Sequence, residues 1–208
     1  MLLVASVPCI VHTDGDAMQL TDEDKRLLLS VARDSIDRAV HGKEQTTIDV
    51  DRPALQARSG VFVTLEMHHE LRGCIGYIEP VLPLIEATRE VAVKAALEDP
   101  RFYPVTANEI RGLEIEISVL SPLREVSSIE EIEVGTHGLV LESGFNRGLL
   151  LPQVATEYGW DRTEFLDHTA RKAGLSPDAW RRKGVRLFTF TVDKFSEAEL
   201  LHDQPEAS

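Results

Sequence analysis

The chain has 208 residues, enough for one large domain, or for a domain with a small satellite, that buries a sizeable core. Hydrophobic residues make up 43% and charged residues 27% of it, as is ordinary for a soluble globular protein. The formal net charge of −13 repels phosphate backbones and therefore disfavours nucleic acid as the main partner. We interpret the short basic run at 181–183 as a solvated face.

The two cysteines of the chain are Cys9 and Cys74, and nothing in their spacing suggests a disulfide framework. We therefore expect a reduced, cytoplasmic setting for the protein. No apolar run reaches the ~18 residues that a membrane-spanning helix needs.

The two ends of the chain are less regular than its middle. Residues 2–11 imitate the apolar part of a signal peptide, but no basic residue precedes them and no convincing cleavage site follows. The first well-patterned stretch opens at Met18. We expect 1–17 to be a flexible extension, 18–201 to be one folded domain, and 202–208 to be a frayed tail.

The first predicted helix starts at Thr21, because a hydroxyl cap is followed there by three acidic residues. Gly42 is a natural stop for it. Residues 44–59 are mixed and polar, so we expect irregular chain with at most a short turn. Apolar side chains recur at helical spacing within the helix, at Leu28, Ala32, Ile36 and Val40.

A β-hairpin and a second helix are predicted next. Two β-rich runs, 61–65 and 71–78, are separated by a short polar connection that suits a hairpin. Pro83 fits the first position of the following helix, and the Asp-Pro pair at 99–100 stops that helix.

The second half of the chain predicts further antiparallel strands with separate helices. Residues 113–119 alternate strictly between apolar and polar, which predicts a half-buried strand with one wet face. This order of elements is typical of an α+β fold, with a mainly antiparallel sheet and several packed helices in a single globular unit. The other predicted elements are strands at 138–141 and 148–151, a helix at 161–173 and a strand at 185–192.

The stretch ELRGCIGYIEP at 70–80 is the strongest candidate for a functional site. Alternate residues of a strand share a face, so Arg72, Cys74 and Gly76 point to the same side. Arg72 and Cys74 are then roughly 7 Å apart at their Cα atoms, and a guanidinium at that range favours a thiolate over a thiol. Gly73 and Gly76 leave room for another backbone or a ligand to approach closely.

The residues alone leave the role of this site open. Free cysteine is among the most buried residue types, so the residues alone favour Cys74 as a small packing residue over a reactive thiol. Asp99 and Arg101 either pair structurally or leave Arg101 to bind an anion. The adjacent His68 and His69 diverge in an extended chain and do not suit a shared metal. With no nucleotide-binding or metal-binding motif in the chain, we expect no cofactor and no metal.

The motif LRGCIG at 71–76 resembles the hallmark of the AMMECR domain family. Further blocks resemble the family in the same order, and together they cover roughly residues 20–200. These blocks are DPRF at 99–102, the strand followed by Ser-Pro at 114–122, GLLLPQ at 148–153, and a C-terminal block from Trp160 to Leu175. The histidines at 68–69 depart from the family, in which we expect a glycine-containing turn.

The resemblance implies an α+β fold with no assigned activity. Bacterial and archaeal family members often occur beside, or fused to, a Memo-type protein related to extradiol dioxygenases, together with a radical-SAM protein. Such partners would act on this chain in trans. The family pattern carries onto Arg72, Gly73, Cys74 and Gly76, and the matched blocks add Asp99, Arg101, Gln153, Trp160 and Lys172 as candidate binding residues.

Three hypotheses for function follow. In the first, the protein is a binding component of the Memo and radical-SAM system, with a functional groove at LRGCIG. In the second, it is a thiol enzyme: Cys74 is the nucleophile, Arg72 its cationic partner, and Arg101 or Lys172 anchors an anionic substrate. A nucleic-acid-linked regulator is the least favoured, because the net charge is −13.

Overall fold

The computed structural model describes residues 19–46 and 49–201. The expected extension at 1–17 and the expected tail at 202–208 lie outside these residues. The helices are α1 (Asp22–Val40), α2 (Pro53–Gln56), α3 (Leu84–Leu97), α4 (Pro152–Glu157), α5 (Arg162–Lys172) and α6 (Glu197–Leu201). Short 3₁₀ helices lie at Ile110–Gly112, Ile129–Glu131 and Pro177–Arg181. The strands are β1 (Val61–Met67), β2 (Glu70–Tyr77), β3 (Leu113–Leu120), β4 (Arg124–Glu125), β5 (Gly138–Ser143), β6 (Asn146–Leu150), β7 (Arg186–Phe190) and β8 (Val192–Ser196).

The strands form two four-stranded sheets, and every pairing is antiparallel. The first sheet has the order β2–β1–β3–β8, and the second has the order β4–β7–β5–β6. With the helices packed against these sheets, the described chain is a single α+β unit, which confirms the predicted fold class.

The main core lies between the first sheet and the helices α1 and α3. Every second residue of β1 points into it, and Val61, Val63 and Leu65 are fully buried. Burial of such side chains contributes about 1.5–3 kcal/mol each, before the cost of ordering them. Helix α1 begins with the predicted cap, since Thr21 and Asp24 form a reciprocal capping box.

The predicted β1–β2 hairpin is present, and its turn has an unusual composition. His68 and His69 both have positive φ, of 56° and 64°. Two-residue hairpin loops favour this backbone because it matches the twist of the strands, and asparagine or glycine commonly supplies it. Histidine is one of the residues enriched among non-glycine residues in this region, which accounts for the departure at these positions.

A smaller core fills the space between the second sheet and α5. Phe165 and Leu166 of α5 are fully buried there against Leu139 and Leu141 of β5. A third cluster, which includes Leu120, Val140, Phe188 and Phe190, joins strands of both sheets. The second sheet therefore packs against one end of the first.

This junction corrects two expectations. The strand predicted at 185–192 is in fact two strands, β7 in the second sheet and β8 in the first, because the chain passes from one sheet to the other at Thr191. Strand β3 has the predicted wet face at Glu114 and Glu116, but Ser118 on the same face is buried. The contact between the sheets covers that end of the strand.

Two fully buried helical threonines differ in whether their hydroxyl has a partner. In the described part of the chain, Thr88 Oγ1 in α3 has none, whereas Thr169 Oγ1 in α5 donates to the Phe165 carbonyl at 2.8 Å. We expect Thr88→Val to raise the free energy of unfolding by about 1 kcal/mol, because it removes an unpaired polar group. We expect Thr169→Val to lower it by about 1 kcal/mol. Urea unfolding followed by circular dichroism checks both, and equal losses in the two variants would contradict the difference.

Candidate functional site

Strand β2 forms one edge of the first sheet, so it pairs with a neighbouring strand only through β1. Within it, Cys74 lies opposite Thr64 of β1. The Cys74 amide donates to Asp99 Oδ2 at 2.8 Å, and its carbonyl accepts from Arg101 Nη2 at 3.1 Å. Two side chains thus occupy the hydrogen-bonding positions that an added strand would use at this residue.

The Asp99 carboxylate is the centre of this arrangement. It follows the end of α3 and is 4% exposed. Besides the Cys74 amide, it accepts hydrogen bonds from the Arg101 amide at 3.1 Å, from Nε at 2.9 Å and from Nη2 at 2.6 Å. The guanidinium bonds hold the pKa of Asp99 well below its ordinary value, although burial opposes this shift. Asp99 is therefore a satisfied, ionised group that positions Cys74 and Arg101.

Cys74 is half-buried, and its thiol has one hydrogen-bond donor in the part of the chain that the structure describes. Thr64 Oγ1 donates to Sγ at 3.3 Å. The pKa of Arg101 is raised mainly by its bonds to Asp99, although burial opposes this shift. The cation that binds Cys74 is Arg101, through the carbonyl, whereas the strand pattern suggested Arg72. Among the described residues, no histidine or carboxylate forms a hydrogen bond with Sγ.

Arg72 instead pairs with Glu109, which precedes the 3₁₀ helix at 110–112. Its Nε lies 2.8 Å from Glu109 Oε1, and both side chains are largely buried. The guanidinium lowers the pKa of Glu109 to about 2, against a smaller opposing effect of burial. Glu109 also accepts hydrogen bonds from the amide and hydroxyl of Thr106, both at 2.8 Å. The positive charge of Arg72 is thus neutralised within the protein.

A polar row crosses the open face of the first sheet, on the side away from α1 and α3. The strand registers align Cys74, Thr64, Glu116 and Ser196, one residue from each strand. Lys194 Nζ lies 2.7 Å from Glu116 Oε2. Sequence reasoning missed Thr64 as the neighbour of the thiol, and it missed the Glu116–Lys194 pair further along the same face. The alternation of β3 placed Glu116 on a wet face, but strand order and register are absent from the local pattern.

The two glycines of the motif serve close packing. A Cβ on Gly73 would lie 2.2 Å from the Ala95 carbonyl oxygen, so the backbone of α3 occupies the space beside it. A Cβ on Gly76 would lie 2.1 Å from the ring of Phe62, on the opposite face of the strand. The sequence predicted that another backbone or a ligand approaches these glycines closely. At Gly73 the structure shows a backbone, that of α3.

The remaining candidate residues lie in the second half of the chain. Gln153 is in α4 and Lys172 is exposed at the end of α5. Trp160 stacks on His168, with ring centroids 3.8 Å apart. Within the described chain, no hydrogen bond or ion pair of these side chains reaches β2. The site near Cys74 therefore brings together Arg72, Gly73, Cys74, Gly76, Asp99 and Arg101, and it does not include the other three.

The described residues offer neither a metal-binding cluster nor a membrane-spanning helix. They contain no group of three or more histidine, cysteine, aspartate or glutamate side chains that is placed to hold a metal ion. Their helices are also too short or too polar to cross a membrane.

These features define an α+β protein of two antiparallel sheets with a cysteine on an edge strand. An aspartate binds the backbone amide of that cysteine, and the arginine paired with the aspartate binds its carbonyl. The chain belongs to the AMMECR1 family, whose model matches residues 29–195. A protein of Methanothermobacter thermautotrophicus is 46% identical over 185 residues, covering 86% of this chain and 96% of its own. A Methanocaldococcus jannaschii protein is 44% identical over 188 residues, covering 86% and 93%.

A solved structure has the same fold. The crystal structure of the uncharacterized protein PH0010 from Pyrococcus horikoshii superposes with a TM-score of 0.78. It is 39% identical in sequence, and the match covers 88% of this chain and 95% of that one. The family and the fold are therefore established, while the activity is a matter for proposal.

Gly73 and Gly112 provide a matched test of the packing under the motif. A Cβ on Gly73 meets helix backbone, which cannot move as a side chain can, whereas a Cβ on Gly112 meets only the Met67 side chain at 3.9 Å or more. We expect Gly73→Ala to lower the free energy of unfolding by about 3 kcal/mol. Gly112→Ala should change it by less than about 1 kcal/mol. Denaturant unfolding checks this, and a tolerated Gly73→Ala would show that α3 does not approach so closely.

The Arg72–Glu109 pair makes stability depend on pH. The folded-state pKa of Glu109 is about 2, below the unfolded value of about 4.3, so the unfolded chain binds the proton first. The stabilisation is fully present above about pH 5 and is lost as the pH falls towards about 2. We expect Glu109→Gln to lower stability at pH 7 by about 2 kcal/mol and to flatten the loss below pH 5.

Thermal unfolding between about pH 7 and pH 2 measures this dependence. Glu157→Gln is the control, since Glu157 is exposed and makes no ion pair with a described residue. A Glu109→Gln curve parallel to that of the unmodified protein would contradict the assignment.

Proposed function

We propose that the protein is a cytosolic binding component of a multiprotein system that includes a Memo-type protein and a radical-SAM protein. Its contact surface is the outer side of β2 with the segment after α3. The observation that supports this best is that both cations of the site are neutralised internally, Arg72 by Glu109 and Arg101 by Asp99. Such an arrangement makes a rigid surface, and rigid surfaces lose less entropy on association.

Exposed side chains beside this framework suit a protein interface. Tyr103 is 89% exposed and Leu71 is 43% exposed. The side chain of Arg101 is also half-exposed, although Asp99 binds it. Tyrosine and arginine are the residue types that most often dominate binding energy at interfaces. The identity of the partners rests on the family resemblance, and the surface rests on these contacts.

Binding of purified partners tests this proposal. Calorimetric titration of the chain with the Memo-type and radical-SAM proteins of the same organism should give a saturable complex with at least one of them. We expect Tyr103→Ala to weaken it by about tenfold or more, because such a truncation removes an anchor. Phe145→Ala is the control, since Phe145 is fully exposed at the turn between β5 and β6 of the other sheet. No complex, or equal effects of the two variants, would refute the proposal.

The thiol enzyme is the second candidate, because Thr64 donates to the Cys74 thiol and Arg101 binds the carbonyl of the same residue. Its test uses Cys9→Ser as the background and measures alkylation of Cys74 in the folded protein against the unfolded chain. Faster alkylation in the folded state, with loss of cellular function in Cys74→Ser and unchanged partner binding, would favour catalysis. Labelling that requires denaturant, with full function in Cys74→Ser, would exclude thiol chemistry.

A further inference from the structure

A pocket lies beside the second sheet, in a region separate from Cys74. Its volume is about 240 Å³, somewhat below the roughly 300–1,000 Å³ of pockets for drug-sized ligands. The loop after β4 forms one side, and the 3₁₀ helix at 177–181 with the start of β7 forms the other. Its apolar lining comes from Val126, Ile129, Trp180, Val185 and Leu187. The rest of the lining is polar, from Glu125, Ser127, Ser128, Arg181 and Arg186. The cavity therefore suits a small molecule with both an apolar and a polar part.

One side of the pocket presents the guanidinium of Arg181, an exposed residue that stacks on a neighbouring ring. The guanidinium carbon of Arg181 lies 4.4 Å from the centroid of the Trp180 ring. The indole Nε1 of Trp180 donates to Asp167 Oδ1 of α5 at 2.7 Å, so the ring under the guanidinium is itself anchored. Stacking on an anchored ring orients Arg181 before any ligand binds, which reduces the entropy lost on binding.

The charges around the pocket leave Arg181 as the group that a ligand can neutralise. Arg181 forms no ion pair with a described residue, although the chain as a whole carries a net charge of −13. Arg186 and Glu125, which also line the pocket, bind each other through two contacts of 2.9 Å. A carboxylate placed at Arg181 would gain a charge-assisted, bidentate interaction.

We propose that this pocket binds a small organic monoanion in which a carboxylate is joined to an aromatic ring or a branched apolar chain. The carboxylate pairs with Arg181, and the apolar part lies against Val185 and Leu187. The site is independent of the surface proposed for protein partners. Residues 181–183 are all exposed, as the sequence predicted for this basic run, and Arg182 pairs with Asp178.

Phenylacetate is a suitable probe, and the neutral phenylacetamide has the same shape without the charge. The chain has two tryptophans, so nitrogen-15 NMR gives two indole N–H signals, which Trp160→Phe assigns. We expect phenylacetate to shift the Trp180 signal saturably, with a dissociation constant of about 1 mM or lower. Phenylacetamide should bind about tenfold more weakly or not at all.

Two neighbouring arginines provide the matched variants. We expect Arg181→Gln to weaken phenylacetate binding by about tenfold or more, because the charged partner is lost. Arg182→Gln should leave it unchanged, since Arg182 does not line the pocket. The overall spectrum reports whether each variant is folded. The proposal fails if phenylacetate gives no saturable shift at about 20 mM, if phenylacetamide binds equally well, or if the two variants behave alike.

Discussion

The candidate site depends on the hydrogen bonds that the buried carboxylate of Asp99 accepts from Cys74 and Arg101. A buried ionised carboxylate is costly unless donors surround it, and here each donor belongs to a part of the site. The Cys74 amide comes from the edge strand, and the Arg101 groups come from the segment after α3. The same carboxylate therefore joins the end of a helix to the edge of a sheet. It also places a guanidinium on the Cys74 carbonyl, so the backbone of this residue is held by Asp99 and Arg101 as well as by its own strand.

Both arginines of the candidate site are neutralised by carboxylates within the protein, so the LRGCIG motif forms a surface with little unpaired charge. Arg72 of LRGCIG binds Glu109, and Arg101 of DPRF binds Asp99. Each guanidinium therefore already has a carboxylate partner and does not need an external anion. The space beside each glycine of the motif is also filled, by the backbone of α3 at Gly73 and by the ring of Phe62 at Gly76. Rigidity and shape are what this region offers to a partner, with Tyr103 and Leu71 exposed beside it. Arg181 differs, because it lines a pocket and has no carboxylate partner among the described residues.

The two sheets depend on each other through the passage of the chain at Thr191. Strands β7 and β8 are adjacent in sequence but belong to different sheets, so the final strand of the first sheet is placed by the second. The cluster of Leu120, Phe188 and Phe190 fills the junction. One consequence reaches the site: β8 carries Lys194, which binds Glu116 in the polar row that includes Cys74.

Local chemistry was enough to predict α1, α3, α5 and the longer strands, whereas β4, α4 and α6 were not predicted. Several signals act over a few residues, and the sequence displays them directly: the hydroxyl cap at Thr21, the turn at 68–69, the Asp-Pro stop after α3 and the alternation of β3. They determined the fold class, the β1–β2 hairpin and the location of the motif on a strand. They also placed Arg72, Cys74 and Gly76 on one face, because a strand has a period of two.

Only the tertiary structure decided which side chains meet. The pairs Arg72–Glu109 and Cys74–Arg101 join residues 37 and 27 positions apart, and the row from Cys74 to Ser196 crosses four strands. No local pattern encodes such distances, because they depend on strand order, register and the end of a packed helix. The change of sheet at Thr191 was hidden for the same reason: a strand alternates in the same way whichever sheet it joins.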